Sequence, residues 1–252
     1  MISVLICCKN EAKNIADCIA SVSDLDEIIV IDDFSTDGTP NIAKKLGAQV
    51  FTHPLNEDWS NQRNFGISKC TKDWIFIIDA DERAPKDLIN KLISLSQKSQ
   101  DNFSYRISRI CKFKHHSITH GPLSKEWIAR FAPKEGLYYT GQVHEKLISP
   151  FPERKIFSMP LEHWSYPNLD SYYRKLDKYT KIAAIRNQSE GKKAFFLFDI
   201  IARPCLSFLK MFILKKGFLD GKLGLIFCIN HSIYVCIKYI RLYYLNKNNG
   251  EL

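Results

Sequence analysis

Large apolar residues recur through the first eighty positions in short unbroken runs, each followed by a stretch with helical spacing. Ile2–Cys8 is such a run, closed by Lys9-Asn10-Glu11, after which Ile15, Cys18, Ile19 and Val22 fall on one helical stripe. A run of that length without alternation is a strand covered on both faces, and the stripe after it is the buried side of a helix. The pattern then repeats. Glu27–Ile31 is a second strand, and Asp32 to Thr39 is a tight polar loop that caps a helix from about Pro40 to Leu46, closed by Gly47. Ala48–Thr52 is a short third strand, Asp58 to about Cys70 a helix carrying Arg63 and Asn64, and Ile75–Ile78 a fourth strand. Strands and helices alternating at this spacing predict a doubly wound, mostly parallel α/β sheet.

Past about Asn102 the rhythm changes. Phe103–Phe113 alternates as a strand, a His-rich loop follows with His115, His116 and His120, and Trp127–Phe131 and Leu137–Val143 read as further short strands. From Leu169 onward the period is helical: Tyr172, Leu176, Tyr179 and Ile182 mark one helix, and Ala194–Lys216 and Lys222–Leu245 are longer, apolar and basic.

Charge sharpens that division. The formal net charge is +9, yet residues 1–169 hold 21 Lys+Arg against 21 Asp+Glu, while residues 170–252 hold 15 against 6. A neutral body with a basic tail is expected to meet something anionic through the tail. Asn230, His231, Lys238 and Arg241 interrupt Leu223–Leu245, and a charge at mid-bilayer costs about 2.5–3.5 kcal/mol, so an amphipathic region on an anionic leaflet is expected rather than a span. Helices packed on the body with Lys and Arg left in water are the alternative. The eight cysteines contain no C-x-x-C pair and no zinc-type spacing, which suggests reduced, buried thiols. Ile2–Cys8 has no basic region before it and is too short for a signal-peptide core, so a cytosolic location, or the cytosolic face of a membrane, is expected.

The chemistry gathers at strand ends. Trp74–Ile78 runs into Asp79-Ala80-Asp81, and in an extended chain those carboxylates share a face, roughly 6–7 Å apart. Acids there lie where open α/β sheets bind ligands, and two of them fit a hard divalent ion, Mg²⁺ or Mn²⁺, that also holds phosphates. Capping of the helix that starts at Pro85 is the other reading. Asp33 follows the second strand at the same sheet edge, where it can accept from a base N–H or a ribose hydroxyl. Arg63 can reach a diphosphate or lie in solvent.

Taken together, Ile2-Ser3-Val4-Leu5-Ile6-Cys7-Cys8-Lys9-Asn10-Glu11, Ile28–Thr39, Asn61-Gln62-Arg63-Asn64 and Ile77–Glu82 resemble the inverting nucleotide-sugar glycosyltransferases of family 2. Gly141-Gln142-Val143-His144-Glu145, His163-Trp164-Ser165-Tyr166 and Gly217-Phe218-Leu219-Asp220-Gly221 resemble a narrower branch that adds glucose or related sugars to the lipopolysaccharide core, the β-1,4-glucosyltransferase type. The resemblance covers nearly the whole chain. It implies a GT-A fold over residues 1–168, with a nucleotide-sugar half to about 100 and an acceptor half from about 101, and a membrane-surface helical region over 169–252. It further implies a sugar-nucleotide site that includes Cys7, Asn10, Glu11 and Asp33, with Asp33 on the base, Arg63 on the diphosphate, and Asp79 with Asp81 on ribose and metal. Cys7 stands where some members place a base-contacting Thr, and Phe34 replaces a frequent Gly. An inverting transfer needs a base for the acceptor hydroxyl, and Glu145 occupies that position by resemblance; an ion pair with His144 or Lys146 is the plain alternative.

The function expected is therefore metal-dependent, inverting transfer of a hexose from a nucleotide diphosphate sugar, a UDP-sugar above all, to a lipid-linked or lipopolysaccharide-core saccharide. Nucleic acid is not among the expected partners. A sugar nucleotidyltransferase shares sheet and substrate but carries a Gly-rich loop after strand one, and Cys7–Glu11 has no glycine. A non-catalytic nucleotide-sugar scaffold at the membrane is the remaining rival.

Overall fold

A computed structural model of the chain describes residues 1–97, 103–113, 116–141, 145–164, 166 and 168–248. His115, Gln142, Val143, His144 and Ser165, all named from the sequence, lie outside the described residues. Two compact units are present: 1–109 with 126–164, and 110–125 with 165–252.

The first unit is built on a sheet whose parallel half is β3 (Gln49–Thr52), β2 (Glu27–Asp32), β1 (Ile2–Cys8) and β4 (Trp74–Asp79), neighbours in that order. Every one of these strands lies within a residue or two of its sequence expectation. Alternation on β1 and β4 shows why the runs had to be apolar throughout. Ile2, Val4, Ile6, Trp74, Phe76 and Ile78 belong to one buried cluster, and Leu5, Ile75 and Ile77 to another on the opposite face. Helices α1 (Ile15–Ser21) and α4 (Lys86–Ser96) supply the first cluster, while α3 (Trp59–Lys69) supplies Ile67 to the second. Helix α2 (Thr39–Lys45) opens after Gly38, whose φ of 86° suits the turn.

Beyond β4 the sheet continues antiparallel. β8 (Glu126–Pro133) pairs with β4, β6 (Ser104–Phe113) with β8, then β11 (Glu153–His163), and last β5 (Glu82–Arg83), which joins β11. β9 (Tyr138–Thr140) and β10 (Lys146–Ile148) form a separate hairpin. The sheet is thus mixed, parallel over the strands of the first eighty residues as expected from the sequence and antiparallel beyond them. β5, β7 (His116–Ile118), β10 and β11 are strands that patterning did not show, β7 within the stretch read as a His-rich loop; β11 opens with Glu153, Arg154 and Lys155, all exposed, so it lacks the apolar signal of a covered strand.

The second unit starts at Ile110, within β6, whose end pairs with β7. It then contains α5 (Leu169–Ser189), a helix α6 (Arg203–Leu209) prolonged by π-helical turns over Phe196–Ala202 and Lys210–Leu214, and α7 (Gly221–Lys247). Asn168 caps α5 by accepting from the Ser171 N–H at 2.8 Å. The unit is tied together by Asp220, which accepts from the backbone N–H groups of Thr119 (2.9 Å) and His120 (2.8 Å) and from the Thr119 hydroxyl (3.1 Å), and which meets His120 Nδ1 at 2.9 Å. A side chain at Gly224 would meet the Gly217 carbonyl oxygen at 2.0 Å, so α7 can leave this turn only through glycine. By length and composition α7, with the turn before it, is long and apolar enough to cross a membrane.

Candidate active site

Three parallel strands deliver their carboxyl ends side by side. In the registers of β1, Cys7 lies opposite Asp79 on β4 and Ile31 on β2, and Cys8 opposite Asp32, so Asp33 and Asp79 flank the end of β1. Cys7 is half-buried and burial pushes its thiol up to about 12, leaving it a neutral lining group.

Asp79 is surrounded by guanidinium groups. It accepts from Arg63 Nη2 at 3.2 Å and from Arg130 through both oxygens, the longer contact at 3.3 Å, with Arg109 at 3.8 Å. Burial opposes its charge, but Arg130 and Arg63 outweigh that and hold the carboxyl well below the usual carboxylate range. Glu82, with no solvent exposure, accepts from Arg130 (3.0 Å), Arg109 (3.2 Å) and the Asp79 N–H (2.9 Å). Burial and the neighbouring Asp79 push Glu82 up, against the pull of Arg130 and Arg109. Arg63 also pairs with Glu145 and lies 5.1 Å over the Tyr139 ring. Arg63, Asp79, Arg109, Arg130, Tyr139 and Glu145 line one cavity of about 400 Å³. The Nε–H groups of Arg63 and Arg130 are buried without a partner, so neither guanidinium that lines the cavity has its donor capacity filled.

The loops after β1 and β2 form a second cluster. Asp33 accepts from Lys9 Nζ (2.8 Å) and the Leu55 N–H (3.1 Å), which together outweigh burial and lower its carboxyl. Asn10 takes φ 55°, donates its N–H to Ser35 Oγ (2.8 Å) and accepts from the Thr36 N–H (2.9 Å). The Glu11 N–H donates to Thr39 Oγ1 at 2.8 Å, and its carboxylate accepts from Asn14 at 2.7 Å. These bonds fix the loop that leads into α1 at Ile15. Phe34 occupies φ 51° and is largely exposed, so the loop keeps the left-handed turn although glycine is absent.

Asp81 has different surroundings from Asp79. The chain leaves β4 at Asp79 and turns at Ala80-Asp81 before β5, so strand alternation does not extend to Asp81. Its carboxylate meets His163 Nε2, at the end of β11, at 3.1 Å, and its carbonyl accepts from the Trp164 N–H at 2.8 Å. Helix α4 is capped by Pro85 without a side-chain bond, so neither acid serves as its cap. Among the described residues no three of His, Cys, Asp and Glu are grouped to hold a metal alone. Asp81 and His163 nevertheless offer an oxygen and a nitrogen ligand at contact distance, suited to a cation whose remaining ligands are phosphate oxygens and water, whereas both oxygens of Asp79 are already taken by arginines.

The model for glycosyl transferase family 2 matches residues 3–146 of this chain. The chain belongs to that family. The match ends one residue past Glu145 and takes in both acidic clusters. An uncharacterized glycosyltransferase of Rickettsia typhi is 29% identical over 253 residues, spanning 96% of this chain and 85% of its own. A lipopolysaccharide core biosynthesis glycosyltransferase of Rhizobium meliloti is 26% identical over 248 residues, spanning 96% of this chain and 92% of its own. Glucosyl-3-phosphoglycerate synthase of Mycobacterium tuberculosis, solved with Mn²⁺, UDP and glucosyl-3-phosphoglycerate, superposes with a TM-score of 0.35 at 26% identity over 42% of this chain and 44% of its own.

Family 2 membership decides against a sugar nucleotidyltransferase. Within the cavity lie Arg63, Asp79 and Glu145, three residues named from the sequence, and the structure joins them through Arg63. Sequence reasoning did not foresee Glu82 or Arg109. No periodicity could have found them, because Arg109 and Arg130 come from the antiparallel β6 and β8; Arg130 is the lone arginine of β8, whereas β6 carries Arg106 and Lys112 beside Arg109 and gives no signal that singles it out.

Proposed function

We propose that this family 2 enzyme transfers a hexose, glucose in the first instance, with inversion from a UDP-sugar to a lipid-linked saccharide of the lipopolysaccharide-core kind. The observation that carries the reading is Arg63, which bridges Asp79 and Glu145 in a cavity lined by guanidinium groups whose donor capacity is not filled. A diphosphate competes for Arg63, Arg109 and Arg130, and in taking Arg63 it frees Glu145. The freed carboxylate accepts the proton of the acceptor hydroxyl while that oxygen bonds to the anomeric carbon. The bond from that carbon to the diphosphate oxygen breaks with its electron pair going to the diphosphate, which the arginines hold. Asp33 meets the base, and Cys7, Asn10 and Glu11 shape the floor and loop of the nucleotide pocket. Asp79 keeps the guanidinium groups in place and borders the ribose.

Asp81 and His163 would hold Mg²⁺ or Mn²⁺, which when bound would offset charge on the diphosphate. Likeness to a lipopolysaccharide core enzyme over nearly the whole chain supports the acceptor class. The helical unit carries 18 Lys and Arg against six Asp and Glu, a charge of +12 where the first unit has −3, which supports action at the cytosolic face of an anionic inner membrane.

The test is a screen of nucleotide diphosphate sugars with Mg²⁺ or Mn²⁺, read by thermal shift and slow donor hydrolysis. One donor, a UDP-hexose, is expected to stabilise and turn over, and Asp81→Asn to abolish the metal-dependent turnover with the fold intact. Near-normal turnover in Asp81→Asn would remove the metal assignment, and no response to any donor would remove the enzyme reading.

A further inference from the structure

The helical unit exposes an apolar surface that its own packing does not use. Eleven large apolar side chains between Phe195 and Leu219 are exposed, Leu197 and Leu214 each at 75%. A fully covered aromatic hides about 150–250 Å², so the four phenylalanines near half exposure present about 300–500 Å² by themselves, and with the seven leucines and isoleucines the total exceeds the about 300–600 Å² usual for the largest patch of a soluble monomer. The segment is the prolonged α6 helix, 19 residues from Phe196 to Leu214 and roughly 28 Å long, followed by the turn that leads into α7.

Its charges have a definite layout. Lys192 and Lys193 precede it, Lys210, Lys215 and Lys216 stand at its far end, and Lys222 follows; all are exposed. Between Phe195 and Leu209 the only charged residues are Asp199 and Arg203, which pair at 2.7 Å, Asp199 buried and Arg203 spread over the Phe198 and Tyr239 rings. An apolar stretch about 20 Å long, whose two charges neutralise each other, bracketed by exposed lysines is complementary to one leaflet: hydrocarbon beneath, anionic headgroups at both ends.

Crossing the bilayer does not fit the same unit. Two polar residues of α7 are bonded to α5: Arg241 to Asp177 and Thr180, and Asn230 to the Tyr173 hydroxyl at 3.2 Å. A spanning α7 would have to break those bonds or draw the charged α5 into hydrocarbon. We propose that residues 195–219 lie embedded in one leaflet of an anionic phospholipid bilayer, parallel to its plane, with the bracketing lysines at headgroup level. This deepens the membrane-surface part of the reading above by naming the segment and adding a hydrophobic component to the electrostatic one.

The experiment is flotation of the full chain with phosphatidylglycerol–phosphatidylethanolamine vesicles, without donor or acceptor. More than half of the bound protein is expected to stay bound in 1 M NaCl and to be released by alkaline carbonate. Leu197→Asp with Leu214→Asp, at two exposed positions, is expected to lower binding at least tenfold at every salt concentration with unchanged circular dichroism. Complete release by salt alone would overturn the inference in favour of surface electrostatics, and carbonate resistance in favour of a span. A double variant that binds vesicles as the parent does but turns a solution dimer into a monomer would overturn it in favour of a contact between copies. Vesicle binding is read without turnover, so its failure leaves the transferase reading standing, and a vesicle-bound chain that transfers nothing leaves this inference standing.

Discussion

Arg130 satisfies two carboxylates at once, and one of them, Glu82, has no access to water. Removing one member of such a buried set strands a charge, at a cost of about 3–5 kcal/mol. Arg130→Ala is therefore expected to lower unfolding free energy by about that much in denaturant titrations, with Glu82→Gln recovering part of the loss. Additive losses in the double variant would show that the two residues do not act as a pair. The neighbouring Arg63 has the opposite character: its partners Asp79 and Glu145 retain some exposure, and its fork is shared between them. At this scale the sequence was legible where a residue sits on a patterned element. Arg63 was found from its helix and Asp79 from its strand, but Glu82 was not, because only the turn at Ala80-Asp81 brings its carboxylate back to the Asp79 N–H.

Helix α3 places Arg63 by its closeness to the sheet. A side chain at Gly66 would come within 2.4 Å of Leu5 Cδ1 and 3.0 Å of Ile31 Cγ1, so the helix rests on β1 and β2 at a distance only glycine permits. Gly66→Ala gains at most about 1 kcal/mol of helix propensity and loses about 1–3 kcal/mol to overpacking. A net loss in thermal stability is expected, together with weaker donor binding as Arg63 is lifted with its helix; unchanged values for both would show that the closeness has no consequence. Elements buried on two faces announced themselves through unbroken apolar runs, as β1 and β4 did. The edge elements did not: β5 has two residues and β11 opens with three exposed charges, yet β11 brings His163 to Asp81.

Across the whole molecule, ionised carboxylates are part of the stability. At Glu27 burial is outweighed by Ser3 and Thr71, at Asp33 by Lys9 and the Leu55 N–H, and at Asp220 by His120 and Thr119, so all three are lowered in the folded chain. A lowered folded value means stability that is present above the unfolded value, near 4, and is lost as the pH falls through it toward the folded one. Melting temperature is expected to fall below about pH 4. Asp220→Asn should be less stable than the parent at pH 7, by about 3 kcal/mol for a carboxylate with four donors, and the gap should close as the pH drops. A gap independent of pH would place the effect elsewhere. Charge counts separate a neutral first part from a basic last third, whereas nothing in the sequence attaches residues 110–125 to the helical unit, since they comprise the end of β6 and the segment that follows it.

The central claim is that Glu145, held by Arg63 until a diphosphate arrives, is the base of the transfer. Its most direct test is donor affinity and single-turnover transfer measured side by side for the parent and Glu145→Gln. Donor affinity equal to the parent's or higher, since the diphosphate no longer competes with a carboxylate for Arg63, with transfer slowed by two or more orders of magnitude, is the predicted result. Transfer within a few-fold of the parent, with donor bound at least as well, would contradict it.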